Sequence, residues 1–164
     1  MIPEHLYVSR SADEQLKNIV DEMQRPGYVL VARQMGKTNL LLNAKRILEN
    51  GNRLFVYIDL SSLFEYERDC YRNIIDNIIE PKKNLFETIE SEIYSLRDRN
   101  LPSHKEYYSS LRIILNQFKG NLVIILDEID ALRSADYSDN IFGQIRSNYF
   151  LRTNFPEFER LTYI

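Results

Sequence analysis

Gly36-Lys37-Thr38 is a triplet that can bind phosphate if a helix begins at it. Backbone N–H groups at a helix N-terminus converge on an anion, and the helix dipole adds to the attraction. In the phosphate-loop pattern G-x-x-x-x-G-K-[ST], the lysine reaches the outer phosphates as a point charge and the hydroxyl binds magnesium. The place of the first glycine is held here by Val31, so the match covers the second half of the pattern only. A β-branched residue forced to positive φ would carry strain of about 1–3 kcal/mol. Val31 is therefore read as continuing a strand, with the turn beginning one residue later and the N–H groups of residues 34–38 still convergent. The expected phosphate contacts are Ala32, Arg33, Gln34, Met35, Gly36, Lys37, Thr38 and Asn39, with Arg33 facing either phosphate or solvent. Taken alone, the triplet is as readily a chance match on an ordinary strand and helix.

A second group of residues changes that balance. The stretch NLVIILDEID, residues 121–130, is an apolar run that ends in two adjacent carboxylates. A buried strand of a parallel sheet delivers acids this way to its C-terminal edge, where ligands of such sheets bind. Asp127 is expected to hold magnesium together with Thr38, and Glu128 to polarise an attacking water, with Lys37 as its catalytic partner on the phosphates. An acidic turn leaving a core strand is the plainer reading of either motif alone. Both motifs in order, each at a strand end, favour the site.

Weaker candidates surround it. Asp59 ends another apolar run and is read as closing a turn rather than as a magnesium neighbour. Asp130 either orients the loop after Glu128 or is solvated. Tyr7, Val8 and Arg10 form part of a base pocket or a hydrophobic staple onto the helix that follows. Arg146 and Arg152 are read as solvated, His5 and His104 as surface residues, and no serine has a His–acid pair beside it.

Elements at the right places must position these groups. Residues 28–32 form a nearly continuous apolar run, the mark of a strand buried on both faces, and residues 54–60, interrupted only by Asp59, and 122–126 are read as buried strands too. Helices are predicted at 11–25, opened by a Ser11–Glu14 capping box and closed at Pro26-Gly27, and at 36–49. Further helices fall at 65–79, 83–98, 103–119 (with a Ser103–Glu106 box) and 138–152, and residues 161–164 begin another strand. Strands alternating with helices predict an α/β fold, a parallel sheet of about four strands covered on both faces in three αβα layers. The chain stops inside the last strand, so the 164 residues are expected to be a single domain, the N-terminal part of a longer ATPase module without its lid.

Bulk properties narrow the class. A length of 164 residues with 44% apolar and 27% charged content is that of one globular domain. A formal charge of −3 gives no general attraction to nucleic acid or an anionic membrane. One cysteine, Cys70, permits no internal disulfide. With no signal core at the N-terminus and no apolar run of membrane-spanning length, the expected compartment is the cytoplasm.

Four stretches together, YVSRSADE, GYVLVARQMGKTNLL, LDEIDAL and FPEFERLTYI, resemble the AAA-like P-loop ATPases of the signal-transducing STAND group. In that group R-Q-M-G-K-[ST] commonly replaces the more glycine-rich loop. The resemblance covers most of the chain, with residues 63–118 the least diagnostic. It implies an ATP- and Mg2+-binding domain with an acid strand inserted beside the phosphate-loop strand. It also implies a switch whose nucleotide state controls self-association or protein partners, often in signalling or defence. The sensor residue, further strand and lid expected of such proteins are not found before Ile164, which bears on hydrolysis more than on binding. The alternatives are a DNA-handling AAA ATPase of the origin-recognition or clamp-loader kind, which the charge balance does not support, and a non-catalytic interaction module that keeps the fold.

Overall fold

The computed structural model describes residues 3, 6–23, 25–30, 36–62 and 64–164. Among these residues, three strands form one parallel sheet: β1 (Arg53–Asp59), β2 (Asn121–Asp127) and β3 (Leu161–Tyr163), in the order β1-β2-β3. The register sets Phe55 beside Val123, Tyr57 beside Ile125 and Asp59 beside Asp127, while Ile124 stands beside Tyr163. Ile164 extends the β2–β3 ladder by one step, donating to the Ile124 carbonyl at 2.9 Å and accepting from the Leu126 amide at 2.8 Å.

Helices cover both faces. Helices α1 (Ser11–Asn18) and α2 (Lys37–Leu48) lie on one, and α3 (Glu67–Ile79), α4 (Lys83–Asp98), α5 (Ser103–Gln117) and α6 (Ser138–Phe150) on the other. The period of two along a strand decides which residues meet which layer. Phe55, Val123 and Ile125 are buried with Leu16, Val20, Leu40, Leu41, Ala44 and Leu48 of the α1/α2 side. Their alternates, Leu54, Val56, Ile58, Leu122, Ile124 and Leu126, are buried with the apolar faces of the other four helices. Asp127 and Tyr57 share the parity of Ile125, so their side chains emerge on the face that α2 covers.

Several expectations need correction. Residues 28–30 carry no strand, and Tyr28 and Leu30 are 69% and 91% exposed, so this apolar run is not buried on both faces. Residues 31 and 32 of the same expected strand lie outside the described residues. The Gly27 amide nevertheless donates to the Tyr163 carbonyl at 2.9 Å, which sets the segment approaching the loop along the free side of β3. The acid strand β2 is therefore flanked by β1 and β3, and the strand beside that segment is β3 rather than the acid strand.

The capping boxes also differ from those predicted. Helix α1 is capped at Arg10, whose amide donates to Asp13 Oδ2 at 2.8 Å while the Asp13 amide donates to the Arg10 carbonyl at 3.0 Å, so the start falls one residue earlier than Ser11–Glu14 and the N-cap side chain takes no part. After Asn18 the helix widens into a π-turn, Ile19–Met23. Glu106 caps nothing: it is 4% exposed and pairs with Arg68 and Arg72 of α3, because burial demands charge partners more strongly than the helix end demands a cap.

Candidate functional site

The site forms where the start of α2 meets the C-terminal end of β2. Gly36 precedes α2 with φ 79° and ψ 28°, a left-handed conformation that costs a residue with a Cβ and costs glycine little. Through that turn the backbone enters α2 with Lys37 and Thr38 in its first turn. A Cβ on Gly36 would also stand 3.1 and 3.3 Å from the terminal guanidinium nitrogens of Arg10, so the bare backbone leaves room for that cation.

Asp127 is the hub. Its Oδ1 receives the Lys37 ammonium at 2.9 Å and the Glu128 amide at 2.9 Å; its Oδ2 accepts from the Thr38 hydroxyl at 2.8 Å and the Tyr57 hydroxyl at 2.8 Å. The residue is 1% exposed. Burial by itself pushes the carboxyl pKa up, but the bonds from Lys37, Thr38, Tyr57 and the Glu128 amide outweigh it and hold the pKa below the ordinary value. The Lys37 ammonium is held above its usual range chiefly by the bond to Asp127, against the opposing effect of burial. Burial, followed by the bond to Asp127, raises the Tyr57 phenol and keeps it a donor.

Glu128 stands at the rim. Its carboxylate is 3.3 Å from Lys37 Nζ and its side chain is 53% exposed. Its φ of 55° is left-handed, a conformation that costs a residue with a Cβ about 1–2 kcal/mol. That backbone turn carries the chain from β2 into the 3-10 segment Ile129–Ser134 and aims the Glu128 amide back at Asp127. Strain of this sort persists only where the surroundings over-determine it.

Of the residues predicted from sequence, Gly36, Lys37, Thr38, Asp127 and Glu128 come together here. Asn39, on the first turn of α2, is in the same element. Ala32, Arg33, Gln34 and Met35 lie outside the described residues. Asp130 borders, with Gly27, Val29, Lys37 and Ile164, the cleft that opens beside Asp127. Asp59 accepts from the Ser61 amide at 2.8 Å and closes a turn, as read. Val8 is 77% exposed and staples nothing, whereas the Tyr7 hydroxyl donates to Asp13 Oδ1 at 2.8 Å. Arg146 and His104 are exposed, and His5 lies outside the described residues. Arg152 is not solvated: its guanidinium, partly buried, donates to the Phe158 and Leu161 carbonyls at 3.1 and 2.6 Å and anchors the entry to β3.

Tyr57 was missed. Its signal was present in the parity of LFVYIDL, where a phenol stands on the same face as the carboxylate of the neighbouring strand, but register is needed to see it.

The donor set fits a magnesium-bound polyphosphate. Thr38 and Asp127 present hard oxygen donors side by side, and Gly36 brings no Cβ of its own to the helix start, where the Arg10 guanidinium adds a positive charge. Among the described residues, no group of three or more His, Cys, Asp or Glu side chains could enclose a metal without other ligands. The cation would therefore rely on water and phosphate oxygens for the rest of its shell.

A left-handed glycine before a helix that begins at a lysine, set against the acid end of a central parallel strand, is consistent with a P-loop-like α/β fold. A family model described as an AAA-like domain matches residues 2–164, and the chain belongs to that family. Membership carries an ATPase-type, nucleotide-binding function. No curated protein and no solved structure matches the chain. Among the described residues, no helix is long and apolar enough to cross a membrane.

Proposed function

We propose that this chain is an ATP- and Mg2+-binding switch domain of the STAND type, slow in turnover, acting in the cytoplasm through protein partners or self-association in signalling or defence. The reading rests above all on one observation: Lys37 and Thr38, from the start of α2, both reach the buried carboxylate of Asp127 at the end of β2. Gly36, Lys37, Thr38 and Asn39, with Ala32, Arg33, Gln34 and Met35 before them, would cradle the phosphates. Thr38 and Asp127 would hold Mg2+, which when bound supplies charge to neutralise phosphate oxygens. Lys37 now spends its charge on two carboxylates, so it is a cation that nucleotide phosphates would redirect. Glu128, half exposed at the rim, would accept a proton from a water attacking the terminal phosphorus.

The test is thermal stability with and without Mg-ATP. At a ligand concentration one hundred times Kd, binding to the folded state alone adds about 2.7 kcal/mol. Lys37→Ala is expected to remove that shift, and a shift that survives the substitution defeats the assignment. Glu128→Gln is expected to keep the shift while abolishing phosphate release.

A further inference from the structure

We propose that Asp13 is a positioning residue for the nucleotide site, seating the Arg10 guanidinium at Gly36 by tying the segment before α1 to α2. The inference rests on the nucleotide-binding reading above. Asp13 accepts three bonds from three different places. The Arg10 amide reaches Oδ2 at 2.8 Å, and Oδ1 receives the Tyr7 hydroxyl at 2.8 Å and the Asn43 side-chain amide at 3.0 Å. Capping α1 needs only the first of these. The second pins residues 7–10 at their other end. The third crosses to α2, the helix that carries Lys37 and Thr38.

Asn43 is 3% exposed on α2 and is committed on both sides, donating to Asp13 and accepting from Arg46. A buried amide so committed leaves little freedom for α1 to slide along α2. The frame thus runs from Asp13 through Asn43 to the first turn of α2, and from Asp13 through the Arg10 backbone to a side chain whose two terminal nitrogens face Gly36. A planar guanidinium at a helix start matches the oxygens of a phosphate in pairs, but only if its backbone is fixed. Asp13 supplies that fixing without facing the ligand itself.

The test is calorimetric titration of the full chain with Mg-ATP, comparing wild type, Asp13→Ala, Arg10→Ala and the double variant, with melting temperatures measured alongside. Each single substitution is expected to weaken binding about tenfold, and the double variant to fall within about twofold of either single one, since both remove the same contact. An Asp13 that serves stability alone would lower the melting temperature and leave the affinity of the folded protein unchanged. That result, or a double variant weakened about a hundredfold because the effects add, overturns the proposal. Should Asp13→Ala fail to fold, Asp13→Asn, which keeps one acceptor oxygen, is expected to show a smaller loss that Arg10→Ala makes redundant; additive losses there overturn it equally. If wild type binds Mg-ATP and Lys37→Ala does not, a null result at Asp13 sinks this inference alone. No binding by wild type sinks both.

Discussion

At the scale of single residues, the acid-strand carboxylate of Asp127 is stabilised by what surrounds it, and that dependence can be titrated. Its folded-state pKa lies below the ordinary 3.8, so near that pH the folded chain binds fewer protons than the unfolded one. The stability it contributes is present above 3.8 and is lost as pH falls through the lower folded value. Lys37 reports the opposite end of the same contact: its contribution is whole below 10.5 and lost as pH rises through its raised folded value. The two are one interaction and count once. Asp127→Asn is accordingly expected to cost about 2 kcal/mol at neutral pH, a loss that shrinks as the solution is acidified below 3.8. Denaturant melts across that range check it, and a gap that stays constant with pH would show that the carboxylate's charge is not what matters. Tyr57→Phe should cost about 1 kcal/mol and move the Asp127 midpoint upward, read by carboxyl NMR titration.

At the scale of elements, the helices and the three described strands were legible from local pattern: Ile74, Ile75, Ile78 and Ile79 mark one face of α3, LVIIL marks β2, and LTYI marks β3. What was not legible depends on partners distant in sequence. The apolar run at 28–30 resembles a buried strand by composition, yet whether it is covered depends on what lies beyond the free side of β3, about which local pattern says nothing. Glu106 has the spacing of a helix cap but is claimed by Arg68 and Arg72 from another helix. In the site, Gly36, Lys37, Thr38, Asp127 and Glu128 could be nominated from two short motifs, and Arg10 as part of a base pocket or a staple; the place of Arg10 at Gly36, and Tyr57 altogether, come from chain crossing and register. Gly120 shows the same limit. It follows the helix predicted to end at 119, where a stop is its obvious task, but the structure gives it a second one, because a Cβ there would stand 2.3 Å from the Asn52 carbonyl oxygen, where the starts of β1 and β2 are tied by the Asn121 amide at 2.9 Å from that oxygen. Backbone on both sides cannot yield as a side-chain tip would. Gly120→Ala is therefore expected to destabilise by about 1–3 kcal/mol, more than helix termination alone would explain, and a denaturant midpoint unchanged from wild type would refute the close approach.

At the scale of the whole molecule, the two sides of the sheet are unequal. Among the described residues, nine buried apolar side chains form the cluster under α1 and α2, against 27 under α3 to α6. Burial of apolar surface is the main term holding layers together, so the α1/α2 layer has less of it per helix to resist local opening. The proposed nucleotide site belongs to that thinner layer: Lys37 and Thr38 begin α2, and their bonds to Asp127, with the Lys37–Glu128 contact, join this helix start to the acid end of the sheet. A ligand gripping both the helix start and Asp127 would add its binding free energy to the layer that has least. Native-state hydrogen exchange is thus expected to show α2 amides exchanging through an opening smaller than global unfolding, while α3 and α5 amides exchange only with the whole domain. Saturating Mg-ATP should slow α2 far more than α5, closing much of the gap. Equal slowing in both layers would mean that the domain opens as a single unit and that the sheet transmits binding across its full thickness, leaving the thinner layer no independent role in any switch.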